Sequence, residues 1–364
     1  MRVDIRSTPD AADLRHQLYV QWLNAYAAEP DVLQLDVIWT PEFAAAGWLL
    51  PLDRFHPPVA DFFDATIVAN RWRGRVFALP WFVDVGMLYW RSDLLTRPPT
   101  DFDALRTDAA NSNLPYGFIW QGARYEGLVT VFLEHLGGFG GRILDDNDRV
   151  VVDSPMAVRA LEYMRDAIRR DHVVPVDVLA WQEEQTRFAF QNGQALFMRN
   201  WPYAVALLRD RSASRVAGRF GIAAMPAATG GTSTAALGGS QLAINAHSQH
   251  PDAAYALLQF LLAPEQMVER AGVAGEYPSR PALYDRPELA EALGVPLGDA
   301  RRIIEHAVPR PVTPVYSELS ELLQVHLHRA LTDQEEPRTA LMMAAAQIRA
   351  LLRRSGLGDD TATR

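Results

Sequence analysis

The sequence contains no cysteine, so disulfides, thiolate nucleophiles and cysteine-held metals are excluded at once. Lysine is absent too: all 35 basic residues are arginine. Pairs such as Arg169-Arg170 and Arg353-Arg354 have no chemical need of a guanidinium, so the bias reads as one of coding. Runs of like charge are lacking and the net charge is -9, which argues against nucleic acid as a partner and against a basic membrane patch. No apolar run is long enough to cross a bilayer, and no stretch reads as a secretory signal. Gly-x-Ser-x-Gly and a lysine-bearing phosphate loop are absent. Gly137-Gly138-Phe139-Gly140-Gly141 lacks the strand-then-helix setting of such a loop and reads as a turn after a helix. The nine histidines show no ligand spacing: His326 and His328 flank Leu327 on a helix, where metal ligands prefer one face. Neither a metal nor a cofactor is expected.

What is present is an ordinary globular composition, 49% hydrophobic and 22% charged, in a chain of 364 residues. That length exceeds what one core usually holds, so two domains are expected. Strands read at 2–6, 32–39, 75–79, 85–90, 116–120, 195–198, 220–224 and 238–245. Helices alternate with them. Ser7-Thr8-Pro9-Asp10 caps the first, and Pro41 opens one at Thr40. A short one is expected at Asp93 and another over 101–108. Further helices cover 125–136, 154–170, 183–191, 251–262, 264–271, 316–331 and 337–354, before a polar tail. The alternation indicates an α/β fold with largely parallel sheets. Ligands in such sheets lie at the carboxyl ends of strands. Asp36 to Trp39, Trp81 to Asp84, Trp120-Gln121, Asn200-Trp201 and Gly238-Gly239 all fall there or just beyond.

These segments share a chemistry. Asn200, Trp201 and Tyr203 crowd a turn around Pro202. Alone, the group reads equally as an aromatic corner of the core or as part of a sugar site, where CH faces stack on rings and hydroxyls need convergent donors and acceptors. Trp120-Gln121 with Tyr125-Glu126, and Trp81 to Asp84, add the same mixture. The carboxylates Asp36, Glu42, Asp84 and Glu126 admit three roles: the acid/base pair of a glycoside hydrolase, acceptors for sugar hydroxyls, or structural caps. Glu42, in a first helical turn, suits the last role through the helix dipole. Arg310 stands between two prolines in a rigid extended segment. It fits a fork onto a ligand hydroxyl or a site carboxylate, or an interdomain ion pair. Trp22, Phe188 and Phe190 fall on helical stripes and read as core.

The ordered set resembles a known family. Leu35-Asp-Val-Ile-Trp-Thr-Pro-Glu-Phe-Ala44 with Ala46-Gly-Trp-Leu49, Leu79-Pro-Trp-Phe-Val-Asp-Val-Gly86, Trp120-Gln-Gly122 with Tyr125-Glu-Gly-Leu128, and Phe197-Met-Arg-Asn-Trp-Pro-Tyr203 are similar to segments of the extracellular solute-binding proteins (family 1) of carbohydrate ABC transporters. The look is nearest to the trehalose/maltose-binding branch, over about residues 2–352. The resemblance implies a two-lobe periplasmic-binding-protein-like fold (type II), each lobe a mostly parallel sheet flanked by helices. One lobe is expected over 1–83 and 246–309, the other over 85–236 and 315–352, with hinge crossings near 84–88, 237–245 and 310–316. By matched motif, Asp36, Glu42, Asp84 and Glu126 accept sugar hydroxyls, Asn200 and Arg310 donate, Trp201 and Tyr203 stack, and Phe82, Trp120 and Gly239 line the cleft. The implied activity is non-enzymatic: a monomeric, extracytoplasmic receptor that delivers a disaccharide such as trehalose or maltose to permease subunits. Two departures stand out. Family members usually carry a signal, often a lipid-attachment cysteine, and a further strand and helix ahead of the segment matching 2–6. A start codon set too far downstream, or a truncated form, is therefore expected. Ser240 and Phe82 stand where the branch often has an aromatic and a tyrosine. The rival readings are a glycoside hydrolase and a truncated remnant that binds nothing.

Overall fold

The computed structural model describes residues 2–9 and 12–357. Among them ten strands follow in chain order: β1 Val32–Asp36, β2 Arg71–Trp72, β3 Arg75–Val76, β4 Ala78–Val85, β5 Met87–Arg91, β6 Tyr116–Ile119, β7 Ala195–Asn200, β8 Phe220–Ala223, β9 Ala235–Ile244 and β10 Ala307–Val308. The expected cap at Asp10 and the polar tail beyond residue 357 lie outside the described residues. The chain divides into two compact units. The first comprises Met1–Asp84, Leu237–Leu293 and Val312–Pro314; the second comprises Val85–Ala236, Gly294–Pro311 and Val315–Arg364.

In the first unit β1 runs antiparallel to β9, with Val32 opposite Ile244 and Asp36 opposite Ser240, and β4 pairs with β9 as well. The buried residues of β1, Leu33 and Leu35, meet Leu23, Trp39, Phe43 and Leu49 in one apolar cluster against which Trp22 packs. The helix Thr40–Ala45 begins with proline in its first turn, where the missing N–H costs nothing. Gly239 makes the β9–β4 approach possible. Its φ is +98°, and a Cβ there would sit 2.3 Å from the Phe82 carbonyl oxygen. The expected strand at 2–6 does not form. Val3 and Ile5 are 48% and 91% exposed, so the alternation finds no face to bury and the segment forms no regular element.

The second unit holds a sheet in the order β6-β7-β5-β8. Only β6 and β7 are parallel; β5 runs antiparallel to both β7 and β8. The sheets are therefore mixed, not mostly parallel as expected. β6 and β7 are each delivered by a preceding helix, Phe102–Ala110 and Glu183–Gln191. β5 instead continues from β4 across the single residue Gly86 and enters from the other direction. The helix Glu126–Gly138 is buried on almost every side, packed by Pro155–Arg169 and Tyr316–Leu331, and the latter also packs on Pro337–Arg354. A helix buried on nearly all sides belongs at the centre of a layer. Ser154 caps Pro155–Arg169 by accepting from the Ala157 N–H, and Asp101 caps Phe102–Ala110 at 2.8 Å.

Three further expectations are corrected. The segment Gly294–Pro311, expected in part with the first lobe, packs in the second unit. Its helix Leu297–Glu305 lies against β8, and β10 runs parallel to Ala235 and Ala236. Asp93 opens no helix: Arg91 forks onto its carboxylate at 2.8 and 2.7 Å and holds the chain in a turn. Phe190 is buried, but Phe188 is 52% exposed and its ring is covered by the Arg187 guanidinium at 4.0 Å.

Candidate functional site

In the first unit Asp36 is the last residue of β1, and its Oδ1 accepts from the Ile38 N–H at 3.2 Å, an Asx turn that ends the strand. Its register partner Ser240 accepts from Gln34 Nε2 at 3.0 Å. Glu42 is not open: His16 Nε2 lies 3.0 Å from both carboxylate oxygens. The imidazole is packed 5.2 Å from the Trp39 ring and 5.4 Å from that of Phe43. Trp81, Phe82 and Asp84 stand inside β4, not beyond a strand end, because the ladder continues to Val85. Gly239 likewise lies inside β9. Trp81 and Phe82 stack obliquely, 5.8 Å between centres. The Arg270 guanidinium lies 4.7 Å over the indole and donates to the Trp81 carbonyl at 2.6 Å. The Trp81 Nε1 and the Tyr277 hydroxyl are buried and find no acceptor among the described residues. Burial first, and the charge of Asp84 second, push the Tyr277 phenol above its ordinary range.

The second unit concentrates its polar aromatics at the end of β7. Arg199 lies 4.0 Å from the Trp201 ring. Its Nε meets Glu134 Oε2 at 2.9 Å and its Nη1 meets Gln121 Oε1 at 3.2 Å. Arg199 and Glu134 are both fully buried. The Trp201 Nε1 donates to Glu183 at 3.3 Å and the Tyr203 hydroxyl to Glu184 at 2.8 Å. The fork of Arg187, ahead of the Tyr203 bond, holds the Glu184 carboxyl below its ordinary range. Burial, reinforced by Glu184, raises Tyr203. Tyr125 is raised by burial and then by the neighbouring Glu183. Two rings with polar edges and two carboxylates thus share one strand end, on a cation that is itself fixed by a buried ion pair.

Bacterial extracellular solute-binding proteins share a sequence model that matches residues 23–268 of this chain. The chain belongs to this family. A probable ABC transporter-binding protein of Deinococcus radiodurans is 34% identical to this solute-binding protein, over 95% of the chain and 86% of that protein. Maltose-bound MalE3 of T. maritima superposes with a TM-score of 0.85 at 41% identity, over 94% of this chain and 90% of that one. The GacH receptor of Streptomyces glaucescens, crystallised unliganded and with acarbose, shares the fold at a TM-score of 0.80 and 24% identity, over 93% and 87%. The two-lobe α/β class of these receptors is thereby the class of this chain.

For the solute-binding protein the geometry redistributes several expected site residues. Trp120 is 1% exposed and is one of the largest buried side chains; it is core, because the Val178 backbone and Gly122 close over it. The Asn200 amide is already spent: Nδ2 donates to the Glu183 carbonyl and Thr186 Oγ1, at 3.1 and 3.2 Å, and Oδ1 accepts from the Trp201 N–H at 2.8 Å. Glu126 and Arg310 are brought together, at 2.8 Å, and the same carboxylate accepts from Tyr316 at 2.6 Å and from Ser320. Arg310 thus pairs through Nη1 with a carboxylate of its own unit. Sequence reasoning missed Glu183, Tyr316, Ser320 and His16. Only Tyr316 and Ser320 left a trace, the i, i+4 spacing that sets both on one helix face.

Proposed function

We propose that this solute-binding protein is the substrate-binding component of an ABC sugar importer. It takes up an α-linked glucose disaccharide, maltose in preference to trehalose, and delivers it to permease subunits outside the cytoplasm. The observation that carries the reading is the β7 end: Trp201 backed by Arg199, its N–H on Glu183, beside the Tyr203–Glu184 pair. A ring of this kind offers a flat apolar face to sugar CH groups while carboxylates at its edge take hydroxyls. The 41% identity to a maltose-bound protein supports maltose as the first ligand to test. In the first unit Asp36, Asp84, the Trp81–Phe82 pair and the Gly239 backbone are the proposed contacts. Glu126, Arg310, Asn200 and Trp120 leave the set: the first two pair with each other, the Asn200 amide bonds on both sides, and Trp120 is enclosed.

Titration calorimetry with maltose, trehalose and longer α-glucans tests the reading. Binding heat with maltose is expected, and Trp201→Ala is expected to weaken it by about 1–2 kcal/mol, roughly five- to thirtyfold. No heat with any member of the panel sinks the sugar assignment. Incubation with maltose and a nitrophenyl α-glucoside separates the hydrolase: released glucose or nitrophenol establishes an enzyme and overturns the receptor. A cooperative melt raised by maltose argues against an inert remnant.

A further inference from the structure

Four of the five places where the chain passes between the two units, after Asp84, Ala236, Pro311 and Pro314, share one neighbour in the second unit. Arg310, just before the excursion Val312–Pro314, and Tyr316, just after it, both donate to Glu126, and Ser320 adds a third bond. About two turns further along the same helix, Glu134 Oε1 accepts from the Ala236 N–H at 3.2 Å. The same oxygen fills the space a Cβ on Gly86 would need, 1.7 Å away. The Gly86 N–H in turn donates to the Ala236 carbonyl at 3.2 Å. Glu134 is held by Arg199, the residue beneath Trp201.

We propose that the helix Glu126–Gly138 is an anchor: its two carboxylates fix the roots of these crossings, so that conformational freedom is confined to the few residues between the attachments. The argument is mechanical and chemical together. The helix is buried along almost its whole length, so it does not move separately from its unit. Glu134 is fully buried and Glu126 partly so; hydrogen bonds to a carboxylate are among the stronger ones available, and hinges absorb their dihedral changes in a few residues beside such fixed points. That the anchored roots also carry the response to sugar rests on the receptor reading above; Arg199 is the physical link between Trp201 and Glu134.

Hydrogen exchange followed by mass spectrometry on the full chain, sugar-free and with saturating maltose, tests this. Tyr316→Phe with Ser320→Ala leaves Glu126 only its Arg310 bond. In the sugar-free protein, peptides covering 309–317 are expected to exchange about tenfold faster, with β7 peptides unchanged, because a local opening has been made easier. Rates within twofold of the wild type at 309–317 overturn the anchor. Glu134→Asp, which keeps the charge and shortens the reach, is expected to speed exchange at 234–238 alone; unchanged rates remove Glu134 from the proposal. If that variant does not fold, the Tyr316/Ser320 pair decides. With maltose, the wild type is expected to gain protection at 309–317 and the double variant to gain less. A wild type that gives no heat with maltose defeats the sugar reading and leaves the sugar-free comparison standing.

Discussion

The imidazole of His135 lies flat against Phe102, 5.3 Å between ring centres and 2° between planes. Its Nδ1 donates to the Val131 carbonyl at 2.8 Å. Burial, assisted by the Arg199 charge, brings its pKa down to about 4 from 6.5. The folded chain therefore keeps this ring neutral over a range in which the unfolded chain takes up a proton. Between about pH 6.5 and 4 the unfolded state binds more protons, so stability is full above that window and falls as pH falls through it, by up to about 3 kcal/mol. Thermal melts at pH 7 and 4.5 read this directly. His135→Phe, which keeps the stack, is expected to flatten the dependence; an equal drop in the variant assigns it to other groups. Asp84 gives a second residue-scale test. Asp84→Ala is expected to weaken maltose by about 2 kcal/mol, the loss of a charged hydrogen bond, and calorimetry with unchanged affinity removes it from the site. Residue types were legible in the sequence at this scale, but their partners were not. Nothing in Asn200 itself says that its amide is consumed by the Glu183 carbonyl and Thr186, nor in Glu42 that a histidine 26 positions earlier faces it.

Helices were the elements most readable from sequence, because caps and apolar spacing are local. Tyr316–Leu331 and Pro337–Arg354 have the expected limits, and Ser154 and Asp101 cap where a serine and an aspartate should. Strand direction was not readable, since it depends on where the chain comes from. β5 enters its sheet from β4 rather than from a helix, and that reverses two ladders. Pairing also hides the constraints on glycine. At Gly86 and Gly239 the hard limit is a neighbour distant in sequence, Glu134 in one case and Phe82 in the other. Gly239→Ala combines a positive φ with a backbone clash. It is expected to cost about 2–4 kcal/mol in urea unfolding, above the range of ordinary surface substitutions. A cost below about 0.5 kcal/mol would show that β9 and β4 separate there without penalty. Glu134→Gln strikes the buried pair instead. Removing one charge leaves the buried Arg199 without its ion-pair partner, at about 3–5 kcal/mol. Restoring stability by pairing it with Arg199→Met in a double mutant would confirm that the loss comes from the stranded charge rather than from packing.

At the scale of the whole molecule, the family was legible because its motifs recur in order along the chain, and the matched model spans residues 23–268. The sugar was not, because hydroxyl discrimination depends on where a few donors and acceptors point once two units of chain, discontinuous in sequence, are both assembled. Ligand linkage turns that gap into a measurement. A sugar that binds only the native state raises unfolding free energy by RT ln(1 + [L]/Kd), about 2.7 kcal/mol at a hundredfold excess over Kd. For units of this size each kcal/mol moves Tm by about 2–4 °C, so maltose at that excess is expected to raise Tm by roughly 5–10 °C. Comparing sugars at one concentration ranks their affinities, since only Kd differs between runs, and maltose is expected to exceed trehalose. The shape of the transition adds a second readout. If sugar contacts both units, both stabilise together and the calorimetric peak moves as one. If only the second unit, with Trp201 and Tyr203, holds the sugar, the transition splits as maltose rises and one component stays at its sugar-free temperature. A split peak would overturn the proposed contacts at Asp36, Asp84 and the Trp81–Phe82 pair while leaving the β7 end in place.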